Sequence, residues 1–253
     1  MKPFSIAITG KGGTGKTTVS ALLVRALVDA GQVPVLAVDA DPNANLHEAL
    51  GVEVHETLGS MREEAFREHI PPGMTRNDFI ALRFRQAIAE EQGFDLVAMG
   101  RPEGTGCYCF ANDLLKTCMG LLGRDYRFIV IDNEAGMEHL SRGTIGVPDL
   151  LLIVSDPGAR GIRTAVRIRD LARSLGLSTV PIRLVLNRWR GSRAEVAPGV
   201  LEVAAVIPED PAIEAADLAG TPVGLQEPGS PARAGVGQLA DEIVKMAQGS
   251  QRS

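Results

Sequence analysis

Residues 4–18 read FSIAITGKGGTGKTT, and this stretch decides the fold. The pattern G-x-x-x-x-G-K-[ST] runs from Gly10 to Thr17. Glycines at these spacings let backbone N–H groups turn towards phosphate oxygens without a Cβ atom in the way. An apolar, β-branched run precedes the loop, and apolar residues at helical spacing follow it. A strand, a glycine-rich loop and a helix in this order predict a phosphate-binding P-loop.

The loop assigns a chemical role to several side chains. Lys16 is placed to reach the β- and γ-phosphates of ATP, and the Thr17 hydroxyl to reach Mg²⁺. The helix that follows directs its first N–H groups at the same anion. The ATP-binding residues predicted here are Gly12, Gly13, Thr14, Gly15, Lys16, Thr17 and Thr18. The loop also carries Lys11, which the minimal pattern does not require.

The rest of the chain alternates apolar runs with helical stretches, which is typical of βαβ units. Strands are predicted at 6–9, 33–38, 96–99, 128–131, 150–154, 182–186 and 202–206. Helices are predicted at 17–30, 111–123, 160–175 and 231–247, and over parts of 57–70 and 78–92. We therefore expect an α/β fold: one P-loop NTPase domain over 1–247, with a mostly parallel central sheet flanked by helices on both faces. Residues 248–253 are expected to be a disordered tail, and the polar segment 52–93 to lie at the surface.

Composition narrows the environment of the protein. The 253 residues carry a net charge of −5 and no strongly basic segment, which argues against broad nucleic-acid binding. The first strand begins almost at the N-terminus, so no signal peptide is expected. No apolar run is long enough to span a membrane. With only 3 cysteines no disulfide framework is expected, so a reducing cytoplasm is the expected setting.

Acidic residues follow two of the predicted strands, at the sheet edge where ligands of such folds bind. Asp39 and Asp41 follow the second strand, where carboxylates can hold Mg²⁺ through water and orient an attacking water. Asp132 follows the run FIVI, which predicts a Walker B acid that binds Mg²⁺ indirectly. Shortly after it, Gly136 is placed to give its backbone N–H to the γ-phosphate. A helix N-cap or a turn is the alternative role for either acid.

The loop GKGGTGKTT resembles the deviant P-loop of the MinD/ParA/nitrogenase iron protein class, and the likeness runs in order from residue 4 to 247. It implies that Lys11 reaches the partner's nucleotide across a homodimer formed on ATP binding. It also implies that Asp41, in a switch I motif, positions the hydrolytic water. Adenine would be read by Asn187 and covered by the loop containing Pro208 and Glu209. The implied catalytic residues are therefore Lys11, Lys16 and Asp41.

A cysteine pair narrows the function further. Cys107 and Cys109 stand one residue apart in GRPEGTGCYCFAN, so in extended backbone both side chains project to one side. Thiolates suit Ni²⁺ or Zn²⁺, but two of them do not complete a tetrahedral site. A two-fold dimer would supply four sulfur atoms on its axis. Two incidental thiols are the alternative interpretation.

That cysteine segment, together with the run DNEAGMEHLSR from Asp132, closely resembles the CooC-type accessory ATPases. The resemblance implies an ATP-dependent metallochaperone that delivers nickel into the cluster of carbon monoxide dehydrogenase. It also implies that the metal is bound by Cys107 and Cys109 between two subunits. Cys118 falls in a helical apolar stripe and is expected to be core. The histidines His47, His55, His69 and His139 have no metal-ligand spacing.

Two alternatives remain open from the sequence. An iron protein-like reductase would hold an Fe–S cluster between subunits, but no cysteine follows Cys118 to supply its second ligand. A MinD/ParA-type positioning ATPase would need a basic amphipathic C-terminal helix or a basic surface. The last helix contains the acidic run LADEIVKM, although Arg160, Arg163, Arg167 and Arg169 cluster near another helix.

Overall fold

The apolar runs of the sequence become neighbouring strands of one sheet in the computed structural model of the chain. The structure describes residues 2–60, 70–101, 114–117, 119–120, 123–134, 146–191, 201–223 and 229–250. Within these residues the strands are β1 (Phe4–Gly10), β2 (Val35–Asp39), β3 (Ala89–Glu91), β4 (Phe94–Ala98), β5 (Phe128–Asp132), β6 (Leu150–Ser155), β7 (Ile182–Trp189) and β8 (Glu202–Pro208). The helices are α1 (Lys16–Asp29), α2 (Leu46–Leu50), α3 (Arg76–Ala87), α4 (Ala159–Ser174), α5 (Pro211–Ala219) and α6 (Pro231–Ser250). Residues 114–117 and 119–120 are also helical.

The eight strands lie in the order β3-β4-β2-β5-β1-β6-β7-β8. All neighbouring pairs are parallel except β3 with β4. Every residue of β2, β5 and β6 is buried, as expected for strands covered on both faces. β1 lies between β5 and β6, so the P-loop leaves the middle of the sheet. The predicted α/β fold with a mostly parallel sheet is confirmed.

Helices cover both faces of the sheet, and each face has its own apolar core. On one face α1 and α6 pack together, and Leu23 and Ile243 are each at most 1% exposed. On the other face α3 and α4 bury Phe84 and Ala172. The sheet is therefore packed between two helical layers.

Several predicted boundaries need correction. The tail expected at 248–253 is helical as far as Ser250, whose hydroxyl donates to the carbonyl oxygen of Met246 at 3.2 Å. The segment 52–93 is not merely surface, because Leu58 and Phe84 are at most 1% exposed. Its expected second helix ends at Ala87 and gives way to β3. Two short helices, α2 and α5, were not predicted from the sequence.

Candidate nucleotide site

The P-loop connects the carboxyl end of β1 to the first turn of α1. Gly10 ends β1, and a Cβ atom there would lie 2.3 Å from the carbonyl oxygen of Val154 in β6. Gly15 precedes α1 with φ at 83°, a left-handed conformation that other residues disfavour. The path of the backbone therefore requires glycine at both positions.

A hydrogen bond from Thr14 closes the turn of the P-loop, and Lys16 at the end of the loop is largely buried. The Thr14 hydroxyl donates to the carbonyl oxygen of Lys11 at 2.8 Å. Lys16 is 9% exposed, whereas Lys11, Gly12 and Gly13 are exposed. A largely buried lysine at the positive end of a helix concentrates positive charge, and that favours an anion such as phosphate.

Two hydroxyl groups of α1 meet the Walker B acid at the end of β5. The Thr17 hydroxyl donates to Asp132 Oδ2 at 2.7 Å, and Ser20 Oγ lies 3.0 Å from Asp132 Oδ1. Asp132 is 1% exposed. Hydroxyl and carboxylate oxygens are the donors that Mg²⁺ prefers, so these residues fit the cation. Ser20 escaped the sequence analysis, although its place one turn after Thr17 puts both on one helix face.

A second acid, Asp39, lies beside Asp132 because the two residues are in register across β2 and β5. Burial raises the pKa of Asp39 to about 8, and the neighbouring charge of Asp132 adds to the rise. Burial likewise raises the pKa of Asp132 to about 6, against the lowering effect of its bonds from Thr17 and Ser20. Two carboxylates held side by side repel each other, so one of them tends to bind a proton. A divalent cation between the carboxylates and the phosphates would relieve the same repulsion.

Asp39 also holds the predicted switch I loop in place. Its Oδ1 accepts the backbone N–H of Asp41 at 3.1 Å, and its Oδ2 accepts that of Leu46 at 2.8 Å. The loop between these donors therefore begins and ends on one buried side chain. Asp41 is itself partly exposed and close to the ends of β2 and β5.

Asn187, near the end of β7, supports the P-loop from the other side. Its side-chain Nδ2 donates to the carbonyl oxygen of Thr14 at 2.9 Å, and the residue is 6% exposed. A Cβ on Gly15 would lie 2.4 Å from that Nδ2. Since the amide nitrogen serves the P-loop, the amide oxygen is the group left to meet a base. An acceptor suits the exocyclic amine of adenine and opposes the carbonyl oxygen of guanine.

A cavity of about 260 Å³ opens beside Asn187. It is lined by polar and apolar side chains, among them Thr18, Leu22, Asn187, Arg188, Ile207, Pro208, Glu209 and Ile213. The structure thus brings together the P-loop residue Thr18 and all three residues that the resemblance assigned to the base. Their common cavity has the mixed lining that a nucleobase needs.

Two arginines that were not assigned to the nucleotide from the sequence also line this cavity. Arg188 has φ at 56° and donates to the carbonyl oxygen of Gly13 at 3.2 Å. Arg190 donates to the Glu209 carboxylate at 2.5 Å. They stand one and three residues after Asn187 in the chain, and that position was the signal that could have identified them.

Several predicted residues lie outside the part of the chain that the structure describes. These are Cys107, Cys109, Cys118, Gly136, His69 and His139. Among the described residues, no group of three or more histidine, cysteine or acidic side chains could hold a metal ion. The metal role of the cysteine pair therefore stays a prediction.

Comparison with known proteins gives a consistent result. Residues 5–223 match the model of the CobQ/CobB/MinD/ParA nucleotide binding domain. The chain is 38% identical over 248 residues to an uncharacterized ATP-binding protein of Methanocaldococcus jannaschii, covering 94% of this chain and 98% of that one. It is 36% identical over 239 residues to the carbon monoxide dehydrogenase accessory protein CooC of Rhodospirillum rubrum, covering 85% and 87%.

A solved structure shows the same architecture. The septum site-determining protein MinD of Pyrococcus horikoshii, complexed with Mg-ADP, is similar to this chain with a TM-score of 0.70. The two sequences are 27% identical, and the match covers 97% of each chain. Separately, none of the helices within the described residues has the length and apolar character to cross a membrane.

Proposed function

The chain belongs to the CobQ/CobB/MinD/ParA family of P-loop ATPases, and from that premise we propose that it is a metallochaperone driven by ATP. It would dimerise on ATP binding and deliver nickel to carbon monoxide dehydrogenase. The observation that carries this proposal is the likeness to CooC over 85% of the chain, in a sequence that also contains Cys107 and Cys109. Metal held by those cysteines would be the cargo of the dimer.

The geometry supports hydrolysis at one edge of the sheet. In this proposal Lys16 and the P-loop amides bind the phosphates, while Thr17 and Asp132 hold Mg²⁺. Bound Mg²⁺ supplies positive charge that offsets the charge of the phosphates. Asp41 orients the attacking water through a carboxylate oxygen. Asn187, Pro208 and Glu209 receive the adenine in their shared cavity.

The metal role is tested by removing both thiols. Cys107→Ala with Cys109→Ala should abolish stoichiometric binding of Ni²⁺ or Zn²⁺ and leave nucleotide affinity unchanged. Cys118→Ala is the matched control and should bind metal as the wild type does. Titration calorimetry and elemental analysis measure both. Unchanged metal stoichiometry in the double variant would refute the metal role, and iron with sulfide in the purified protein would favour the reductase instead.

The dimer is tested at the exposed lysine of the P-loop. Lys11→Ala should lower the dimer fraction that a non-hydrolysable ATP analogue induces, because the side chain is proposed to reach the partner's nucleotide. Lys116→Ala, also at an exposed position, is the control. Light scattering with and without the analogue gives the dimer fraction. An equal fraction in Lys11→Ala and wild type contradicts the role in trans.

One surface favours a second candidate function, a partitioning ATPase that binds nucleic acid. Arg160, Arg163 and Arg167 are exposed on one side of α4, at helical spacing. Binding to DNA through such a stripe should weaken steeply with salt. Retention of DNA at 50 mM but not 200 mM salt would support this candidate, and no retention at either concentration would reject it.

A further inference from the structure

A short chain of hydrogen bonds joins the proposed water-orienting acid to an arginine of another segment. Asn43 donates to Asp41 Oδ1 twice, from its backbone N at 2.8 Å and from its side-chain Nδ2 at 3.0 Å. The side-chain oxygen of Asn43 accepts from Arg101 Nη2 at 2.5 Å. Arg101 comes two residues after Met99, the residue that follows the end of β4. Thus Asp41 is connected to a different strand end through one amide side chain.

The chemistry of the three groups fixes how the amide points. A guanidinium group only donates and a carboxylate only accepts, so the Asn43 oxygen must face Arg101 and its nitrogen must face Asp41. The bond to Asp41 and the bond from Arg101 both require this orientation, so loss of Arg101 removes one of the two side-chain contacts that hold the amide. Arg101 therefore helps to hold the side-chain conformation of Asn43.

The bonds leave the two oxygens of Asp41 in different environments. Within the described ranges, both donors to this carboxylate reach Oδ1, and none reaches Oδ2. A carboxylate anchored through one oxygen presents the other in a defined direction. Among the described residues, Oδ2 is therefore the oxygen left to accept a proton or hydrogen bond from water.

The backbone of Arg101 is itself held in place. A Cβ atom on Gly59 would lie 2.7 Å from the carbonyl carbon and oxygen of Arg101, so the two backbones are in close contact. The Gly59 N–H also donates to the carbonyl oxygen of Met99 at 2.6 Å. Gly100, which lies between Met99 and Arg101 in the chain, has φ at 64° and is in close contact with Thr57. These contacts hold the backbone of Arg101, and its guanidinium group extends from there to Asn43 in switch I.

We propose that Arg101 is a positioning residue for ATP hydrolysis, which acts through Asn43 to orient the Asp41 carboxylate. This inference rests on the role of Asp41 in the proposed function. Arg101 precedes Cys107 by six residues in the sequence. The contact with Asn43 is therefore made by a residue that lies shortly before the cysteine pair in the sequence.

The test is steady-state ATP hydrolysis with kcat and KM measured separately. Arg101→Met keeps the length of the side chain and removes its donors, so kcat should fall about 10-fold while KM for Mg·ATP stays within about 2-fold. Arg101→Lys restores one donor and should recover part of kcat. Arg124→Met makes the same chemical change at another exposed position and should retain wild-type kinetics.

A double variant tests whether the two residues act as one unit. Asn43→Ala should lower kcat to the level of Arg101→Met, and the combination should be no lower than either alone. Wild-type kcat in Arg101→Met, a rise in KM that accounts for the whole loss, or independent effects in the double variant would each overturn the inference.

Asp41→Asn separates this inference from the proposed function. If Asp41→Asn abolishes hydrolysis and Arg101→Met does not lower kcat, only the positioning role fails. If Asp41→Asn keeps wild-type kcat, the assignment of Asp41 fails and the positioning role fails with it. Circular dichroism and thermal unfolding confirm that each variant is folded.

Discussion

The two sides of the phosphate loop are built differently. On the β7 side the contacts are buried: Asn187 is 6% exposed and Thr14 is 4% exposed, and their hydrogen bond joins a strand to the loop backbone. On the switch I side Asn43 and Arg101 are both exposed, although they also connect segments that are far apart in the chain. Buried contacts cost more to break, since each leaves an unsatisfied polar group. The β7 side therefore suits constant affinity for nucleotide, and the exposed side suits contacts that change during turnover.

The largest loss of ATP affinity is expected at Gly15, where the P-loop backbone lies in close contact with the Asn187 side chain. Gly15→Ala must adopt a left-handed φ at a cost of about 1–2 kcal/mol, and it also overlaps the Asn187 side chain. Gly13→Ala meets the same strain at φ 80°, but no atom lies within 4 Å of its Cβ position. ATP affinity should therefore fall more than about 10-fold in Gly15→Ala and less in Gly13→Ala. Calorimetric titration ranks the two, and equal losses would show that contact with Asn187 is unimportant.

A smaller effect is expected at Asn187, where the two functions of the amide can be separated. Asn187→Ala removes both the bond to Thr14 and the acceptor for the base, at a cost of about 1–3 kcal/mol. Asn187→Asp also loses the bond to Thr14 but keeps an acceptor oxygen. The preference for ATP over GTP should drop in Asn187→Ala and persist in Asn187→Asp. Competition binding with both nucleotides measures it, and a preference unchanged in Asn187→Ala would exclude base reading by this residue.

A third effect concerns the acids beneath switch I and appears as a dependence of stability on pH. The folded-state pKa of Asp39, about 8, lies above its ordinary value of 3.8, and burial is the main cause. Between these values the folded protein holds a proton that the unfolded chain has released. Stability of the nucleotide-free protein should then fall as pH rises, by at most about 1.4 kcal/mol per pH unit for one proton.

Asp39→Asn removes that titration. Its free energy of unfolding should vary less between pH 5 and pH 8 than that of the wild type, even if its absolute stability is lower because a backbone contact is lost. Urea unfolding across this range gives both slopes. Equal slopes would show that Asp39 titrates normally in the folded protein.

The sequence predicted the parts of the site that depend on local pattern. The motif from Gly10 to Thr17 predicted the P-loop. Asp132 was predicted as the Walker B acid because it directly follows an apolar strand. The P-loop and Asp132 were expected to lie close together because parallel strands end at the same edge of the sheet, and the hydrogen bond between Thr17 and Asp132 agrees with this. Strand and helix order was predicted for the same reason, because alternating apolar runs specify βαβ units.

Two kinds of feature were not predicted from the sequence. One is contact between side chains that are distant in the chain, and the other is a helix or strand too short to show a periodic pattern of apolar residues. Nothing in the sequence shows that Arg101 reaches Asn43. The helix α5 did have a local signal, since Asp210 accepts the N–H of Ala212 as an N-cap and Pro211 stands at the first position. By contrast, the three residues of β3 offer no detectable alternation.

That short strand has a consequence for assembly. β3 covers the open edge of β4 with only three residues, and two of them are the exposed glutamates Glu90 and Glu91. A brief, negatively charged edge is a poor template for pairing with another chain. Extension of the sheet from copy to copy is thereby discouraged on this side, which protects the protein from aggregating through β-strand addition.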